Sequence, residues 1–217
     1  MQEQIIDFYE KVVSCQKTPT DCPRTKNSIE SDYPPRGFMS GGNPGDIDIM
    51  IVGKNPGHIM KDEEGAYSNK SPREIVEEIF RNPTWEIPDK VSRDTTFHKN
   101  LIEYLTTFLN IRESEIFKRC VYTNLVKCST ETEKEKLKAK TKDQCFNSYL
   151  HDEIILWKPK VLLALGREVE YFLNKKSIKE KHGKPIIYIK HPSYYYKTEQ
   201  KDQILEEIKT EINKYLK

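Results

Sequence analysis

Apolar residues recur along this chain in two rhythms. Where they follow helical spacing, the first segment is residues 2–14, with Ile5, Ile6, Tyr9, Val12 and Val13 on one side. Residues 71–81 read as a second helix. Phe97, Leu101, Ile102, Leu105, Phe108 and Leu109 mark a third, strongly amphipathic one. Phe146, Tyr149, Leu150, Ile154 and Trp157 give a buried helix face that Lys158-Pro159 ends. Ile204, Leu205, Ile208, Ile212, Tyr215 and Leu216 line the last helix. Elsewhere the apolar residues run continuously. Ile47 and Ile49 to Val52, broken only by Asp48, form a buried strand inside Asp46–Gly57. Cys120–Cys128, Val161–Leu165 and Pro185–Lys190 are expected to be three more, with a helix after the third strand. Residues 23–46, rich in Pro, Gly, Ser and Asn, read as an irregular connection, as do 82–94. The Lys-, Glu- and Thr-rich stretch 129–142 reads as a solvated loop or helix.

Strands alternating with helices predict an α/β fold: three α/β/α layers around a four-stranded parallel sheet. With 217 residues and no internal repeat, the chain is expected to be one domain, 1–217. It is 36% hydrophobic and 32% charged, and no stretch reads as a signal peptide or membrane span. A soluble, cytoplasmic monomer with no membrane contact is expected. A net charge of +2 argues by itself neither for nor against nucleic acid. Local patches at Lys54, Lys184, Lys190 and Lys197 are the candidates for a DNA-facing surface.

Three polar residues sit where strands end: Asn55 after the first, Asn124 in the second, His191 after the fourth. In an open parallel sheet such positions face one crevice beyond the carboxyl ends of the strands. Convergence of three of them points to a site rather than to three separate turns. Five cysteines in a chain of this kind point to metal or redox work before structural disulfides. Cys120 lies within a strand and reads as a buried apolar residue.

In order along the chain, Gly53-Lys54-Asn55-Pro56-Gly57, Tyr122-Thr123-Asn124-Leu125-Val126-Lys127-Cys128, Lys158-Pro159-Lys160-Val161 through Gly166, and His191-Pro192-Ser193 resemble the motifs of the uracil-DNA glycosylase superfamily. The first motif is of the GxNPG form found in mismatch-specific branches, and the cysteines are similar to those of the iron–sulfur branches (family 4/5-like). The resemblance spans roughly residues 15–196. It implies a monofunctional glycosylase that hydrolyses the N-glycosidic bond of a uracil flipped out of DNA. Asn55 would hold the attacking water and His191 would stabilise the leaving base. Asn124 would read the uracil edge, within a binding surface that includes Gly53, Gly57 and Ser193. Tyr67 stands where the family keeps an aromatic under the base. Tyr195 stands where it keeps a wedge, with Tyr194 and Tyr196 as neighbouring alternatives. Cys15, Cys22, Cys128 and Cys145 would hold a [4Fe–4S] cluster, with zinc as the closest rival; six residues separate the first pair where the family usually has two. Gly57 replaces a bulky residue beside C5 of the base, which implies preference for uracil opposite guanine and tolerance of small C5 substituents. The runner-up readings are a glycosylase for hypoxanthine or xanthine, and a non-catalytic iron–sulfur DNA-binding protein of the same fold.

Overall fold

A computed structural model of the chain describes residues 2–15, 35, 38–39, 42–56, 67, 69–81, 96–130, 136–194, 196 and 198–216. Five strands form one sheet: β1 (Phe38–Met39), β2 (Ile49–Gly53), β3 (Cys120–Asn124), β4 (Val161–Leu165) and β5 (Ile186–Ile189), in the spatial order β1-β3-β2-β4-β5. The expected four parallel strands are all present, with β2 paired to both β3 and β4, and β4 to β5. The two-residue β1 is an addition: it pairs antiparallel with the outer side of β3, inside the stretch expected to be irregular. Too short to carry a period, it is made by its partner and by Phe38, whose ring stacks on Tyr9.

Every residue of β2, β3 and β4 is buried. That is why their sequences are unbroken apolar runs: both faces of the sheet are covered. One layer holds α1 (Gln2–Val13), α2 (Pro72–Arg81), α5 (Ala139–Cys145) continuing through a π turn at Phe146–Leu150 into α6 (His151–Trp157), α7 (Arg167–Lys175) and α8 (Ile178–His182). It packs on Met50, Val52, Val121, Leu162 and Ala164. The other layer holds α3 (Thr96–Leu109), α4 (Ile116–Arg119) and α9 (Thr198–Leu216), against Ile49, Ile51, Tyr122, Leu163 and Ile189. No helix among the described residues is long and apolar enough to cross a membrane.

Asp48, the one polar residue in the first apolar run, lies just before β2 and is buried against Arg119 and Lys160. These pairs close the amino-terminal edge of the sheet. The opposite edge is where the chain order reverses. From β2 the chain goes to β3 on one side, and from β4 it goes to β5 on the other. This reversal opens a crevice beyond the carboxyl ends of the central strands. The second strand also ends earlier than expected, at Asn124 rather than at Cys128. The stretch expected to be solvated is partly interior: Ser129, Thr130, Leu137 and Thr141 are all buried. The reason is that the chain leaving β3 stays under α5 and α6 instead of turning out to water.

Candidate active site

Side chains alternate along β3, so Tyr122 and Asn124 face the α3–α9 layer while Thr123 faces the other. Asn124 is wholly buried. Its Oδ1 accepts a hydrogen bond of 3.1 Å from the Tyr122 hydroxyl. Opposite it in register is Gly53, the last residue of β2. A Cβ on Gly53 would lie 2.8 Å from that hydroxyl and closer still to the amide oxygen. Gly53 is therefore required by close approach, and its missing side chain is the space the amide occupies.

Thr123 has a different setting. Its hydroxyl donates to both oxygens of Glu153, at 2.9 and 3.0 Å, and the Lys127 ammonium binds Glu153 and Thr123 together. Lys127 and Glu153 are both buried almost completely. Tyr9 adds a further hydrogen bond to Glu153, and the Trp157 indole donates to Tyr9 at 2.7 Å. Burial first, then the Glu153 charge, pushes the Tyr9 phenol well up. A carboxylate with this many donors satisfies the rule that buried charge must be paired and bonded.

The parallel pairing continues past both strand ends, with Leu125 N–H donating to Gly53 and Val126 N–H to Lys54. Asn55 follows, half-buried, its Nδ2 donating to the buried Thr130 hydroxyl at 3.4 Å. Thr130 comes from the stretch expected to be solvated. Lys54 ion-pairs with Glu168 of α7 at 3.0 Å, and Lys142 of α5 joins the same carboxylate at 2.9 Å. Burial works to raise Glu168, but the two ammonium groups outweigh it and hold the carboxyl below its usual value. Lys54 thus ties the first motif to two helices.

His191 follows β5 by two residues and is half-buried. The Ser193 N–H donates to its Nδ1 at 3.3 Å, so the ring proton is on Nε2. Burial lowers its pKa below the ordinary 6.5, so the imidazole is neutral at pH 7. The loop is held from α3: Asn100, buried on the apolar face of that helix, donates to the Pro192 carbonyl at 2.7 Å. In the first turn of α3, Phe97 lies 5.3 Å from the His191 ring and edge-on to Tyr122 at 6.4 Å. Gly166, after β4, has φ +93 and passes beneath His191, where a Cβ would be 4.0 Å from the histidine Cβ.

The structure brings Gly53, Asn55, Asn124, His191 and Ser193 to one edge of the sheet. Ser193 contributes a backbone N–H while its side chain is exposed. Tyr67 packs instead with the α1–α2 core, on the opposite face from Tyr122 and Phe97. Of the candidate wedges, Tyr196 is fixed: its hydroxyl accepts the Lys190 N–H at 3.0 Å and its ring meets Tyr104. Tyr194 is 63% exposed and edge-on to His191. Tyr195, Gly57 and Cys22 lie outside the described residues. Phe97, Asn100, Tyr122 and Thr130 are the site residues sequence reasoning missed. The first was absorbed into an apolar stripe, although Asn100 interrupts that stripe and Tyr122 shares a face with Asn124 by simple alternation.

Cys128 and Cys145 are buried together with Val126 and Leu137. Cys15, past the end of α1, hydrogen-bonds Tyr149. Burial pushes the Tyr149 phenol up, aided by that bond and by electrostatic interaction with Cys15, Cys145 and Cys128. Among the described residues no group of three or more His, Cys, Asp or Glu side chains is arranged to hold a metal ion. Cys120 stands apart on β3, its thiol held protonated by burial and by Asp48.

No curated protein matches the chain. A family comparison does: residues 39–217, from β1 through α9 and including every strand-end residue described above, match the uracil DNA glycosylase superfamily, and the chain belongs to it.

Proposed function

We propose that the protein is a monofunctional uracil-DNA glycosylase acting as a monomer. Membership of the superfamily points to a DNA glycosylase, and the observation that carries the finer reading is the state of His191. A neutral imidazole with its proton on Nε2 is a hydrogen-bond donor that brings no charge of its own. That suits the O2 of a uracil leaving as an anion. The C1′–N1 bond breaks, its electron pair goes to the base, and a water oxygen bonds C1′ and loses its proton to solvent. Asn55 would position that water, since an amide is too weak a base to take the proton itself. Asn124 would accept from N3–H and donate to O4, a pattern that cytosine reverses. Phe97 beside His191 offers a flat wall for the flipped base. Exposed Tyr194, with Lys190 over its ring, offers an aromatic and a cation toward the duplex. The deciding experiment is base release from oligonucleotides carrying a single uracil, hypoxanthine or xanthine. Release of uracil foremost is expected, faster opposite guanine than adenine because a mismatched base flips at lower cost. Hypoxanthine release without uracil release would replace this reading by the runner-up, and no release at all would favour a binding protein.

We infer further that Cys15, Cys22, Cys128 and Cys145 are the ligands of a structural [4Fe–4S] cluster; what supports it is the shared burial of Cys128 and Cys145, although the described thiols are not arranged in a set of three. Four thiolates suit that group, and zinc would take the same donors. Protein purified without oxygen should be brown and hold about four irons, with Cys120→Ser retaining them. Colourless protein with stoichiometric zinc would overturn the iron assignment.

A further inference from the structure

We propose that Asn100 is a positioning residue for His191: by holding the Pro192 carbonyl it fixes the peptide whose N–H keeps the ring proton on Nε2. This rests on the reading of His191 as the donor to the leaving base. The Pro192 carbonyl and the Ser193 N–H belong to one planar peptide group and point opposite ways. On one side the carbonyl accepts from Asn100 Nδ2 at 2.7 Å. On the other the N–H donates to His191 Nδ1 at 3.3 Å. Both directions are fixed, since a carbonyl only accepts and a backbone N–H only donates. Nδ2 rather than Oδ1 of Asn100 therefore faces the loop, and Nδ1 of His191 carries a lone pair rather than a proton. With the proton on Nδ1 instead, two N–H groups would meet head to head, and Nε2 would have nothing to give a departing base.

This peptide needs an outside hold because of where it lies. The Tyr194 N–H donates to the His191 carbonyl at 2.9 Å, which closes a turn with Pro192 and Ser193 at its centre. The middle peptide of such a turn is the plane that rotates between the type I and type II forms while the ends stay in place. Ser193 opposes the rotation in part, because its φ is negative and the type II form would make it positive. Asn100 opposes it through the carbonyl, and does so from a helix packed on the sheet. It is 8% exposed, between Phe97 and Tyr104 on the apolar face of α3, a place where an amide is costly unless it is bonded. Phe97, three residues before it, meets the His191 ring itself. The start of α3 thus grips both the ring and the peptide that orients it. Hydrogen bonds in series also polarise one another, so the bond from Asn100 makes the Ser193 N–H the stronger donor.

Asn100→Leu removes the donor and nearly keeps the size. In isotope-labelled histidine the two ring nitrogens resonate apart according to which carries the proton, and the His191 signals are those missing from His191→Ala. The parent should show Nε2 protonated alone, and Asn100→Leu should show both tautomers. Single-turnover release of uracil should slow about tenfold, the scale of one neutral hydrogen bond, with DNA affinity unchanged. On a His191→Ala background the same substitution should slow release no further, because residues that act as a unit are not additive. Damage to the fold would slow both backgrounds alike. Asn100→Ser, too short to reach the carbonyl, is the second variant where the leucine protein does not fold. Failure of any one of these results would overturn this inference alone. Full activity in His191→Ala would overturn the role of His191, and this inference with it.

Discussion

Thr123 and Asn124 follow one another on β3, are both wholly buried, and differ in everything else. Thr123 faces a closed polar network in which Glu153 receives the threonine hydroxyl, the Lys127 ammonium and the Tyr9 phenol. Asn124 faces the side where Tyr122, Phe97 and His191 stand, its amide oxygen accepting from the Tyr122 hydroxyl. The pleat of a single strand thus separates a polar cluster that holds the protein together from one suited to a ligand. Burial alone would not tell them apart. The distinction lies in what each side chain faces: an enclosed ion pair on one side, the crevice beyond the strand ends on the other.

The comparison is broken most severely on the closed side. Lys127→Met leaves Glu153 as a buried carboxylate without its cation, and breaking such a pair costs about 3–5 kcal/mol. Urea unfolding should report that loss, while the molecules still folded should keep most of their single-turnover rate. A variant as stable as the parent would mean that Glu153 takes up a proton or reaches water. On the open side the signature should reverse. His191→Ala or Asn55→Ala should slow single-turnover cleavage by about 10²–10³, the usual loss for one preorganised group. The unfolding midpoint and DNA affinity should hardly move, the latter because phosphate contacts dominate it. Full activity in either variant would remove that residue from the mechanism.

The smallest effect is one of pH. Because burial depresses His191 below 6.5, the unfolded chain binds a proton there before the folded one does. Its contribution to stability is complete above pH 6.5 and is lost as pH falls from there toward the lowered folded value. The acid limb that His191 gives to the cleavage rate should likewise lie below pH 6.5, and should be absent from His191→Ala. A limb centred at or above 6.5 in the parent protein would show that the ring is not desolvated.

Much of the fold was legible because strands buried on both faces must be apolar without a break, and such runs are short and bounded by Gly and Pro. Asn55, Asn124 and His191 were legible for a related reason, being polar groups placed where those runs stop. What escaped was pairing at a distance. Nothing in the local pattern says that Lys127 is interior, since its partner Glu153 belongs to another element. Thr130 looked like its charged neighbours, and only the hydrogen bond to Asn55 marks it out. Phe97 was read as core because a residue at the end of an apolar stripe looks the same whether it meets a helix or a crevice. β1 was invisible because two residues carry no period.

The stretch from Asn124 to Thr130 also limits how this protein can change. It begins with the buried amide, passes through the buried lysine and the Cys128 thiol, and ends on the hydroxyl that holds Asn55. Each of these points is fixed to a different part of the molecule: a strand neighbour, a helix, a second thiol and the first motif. Inserting or deleting a single residue between them would move every later anchor off its partner at once. Side chains here can be exchanged one at a time, but the length of the segment cannot drift, and relatives that keep this arrangement are expected to differ in spelling rather than in spacing.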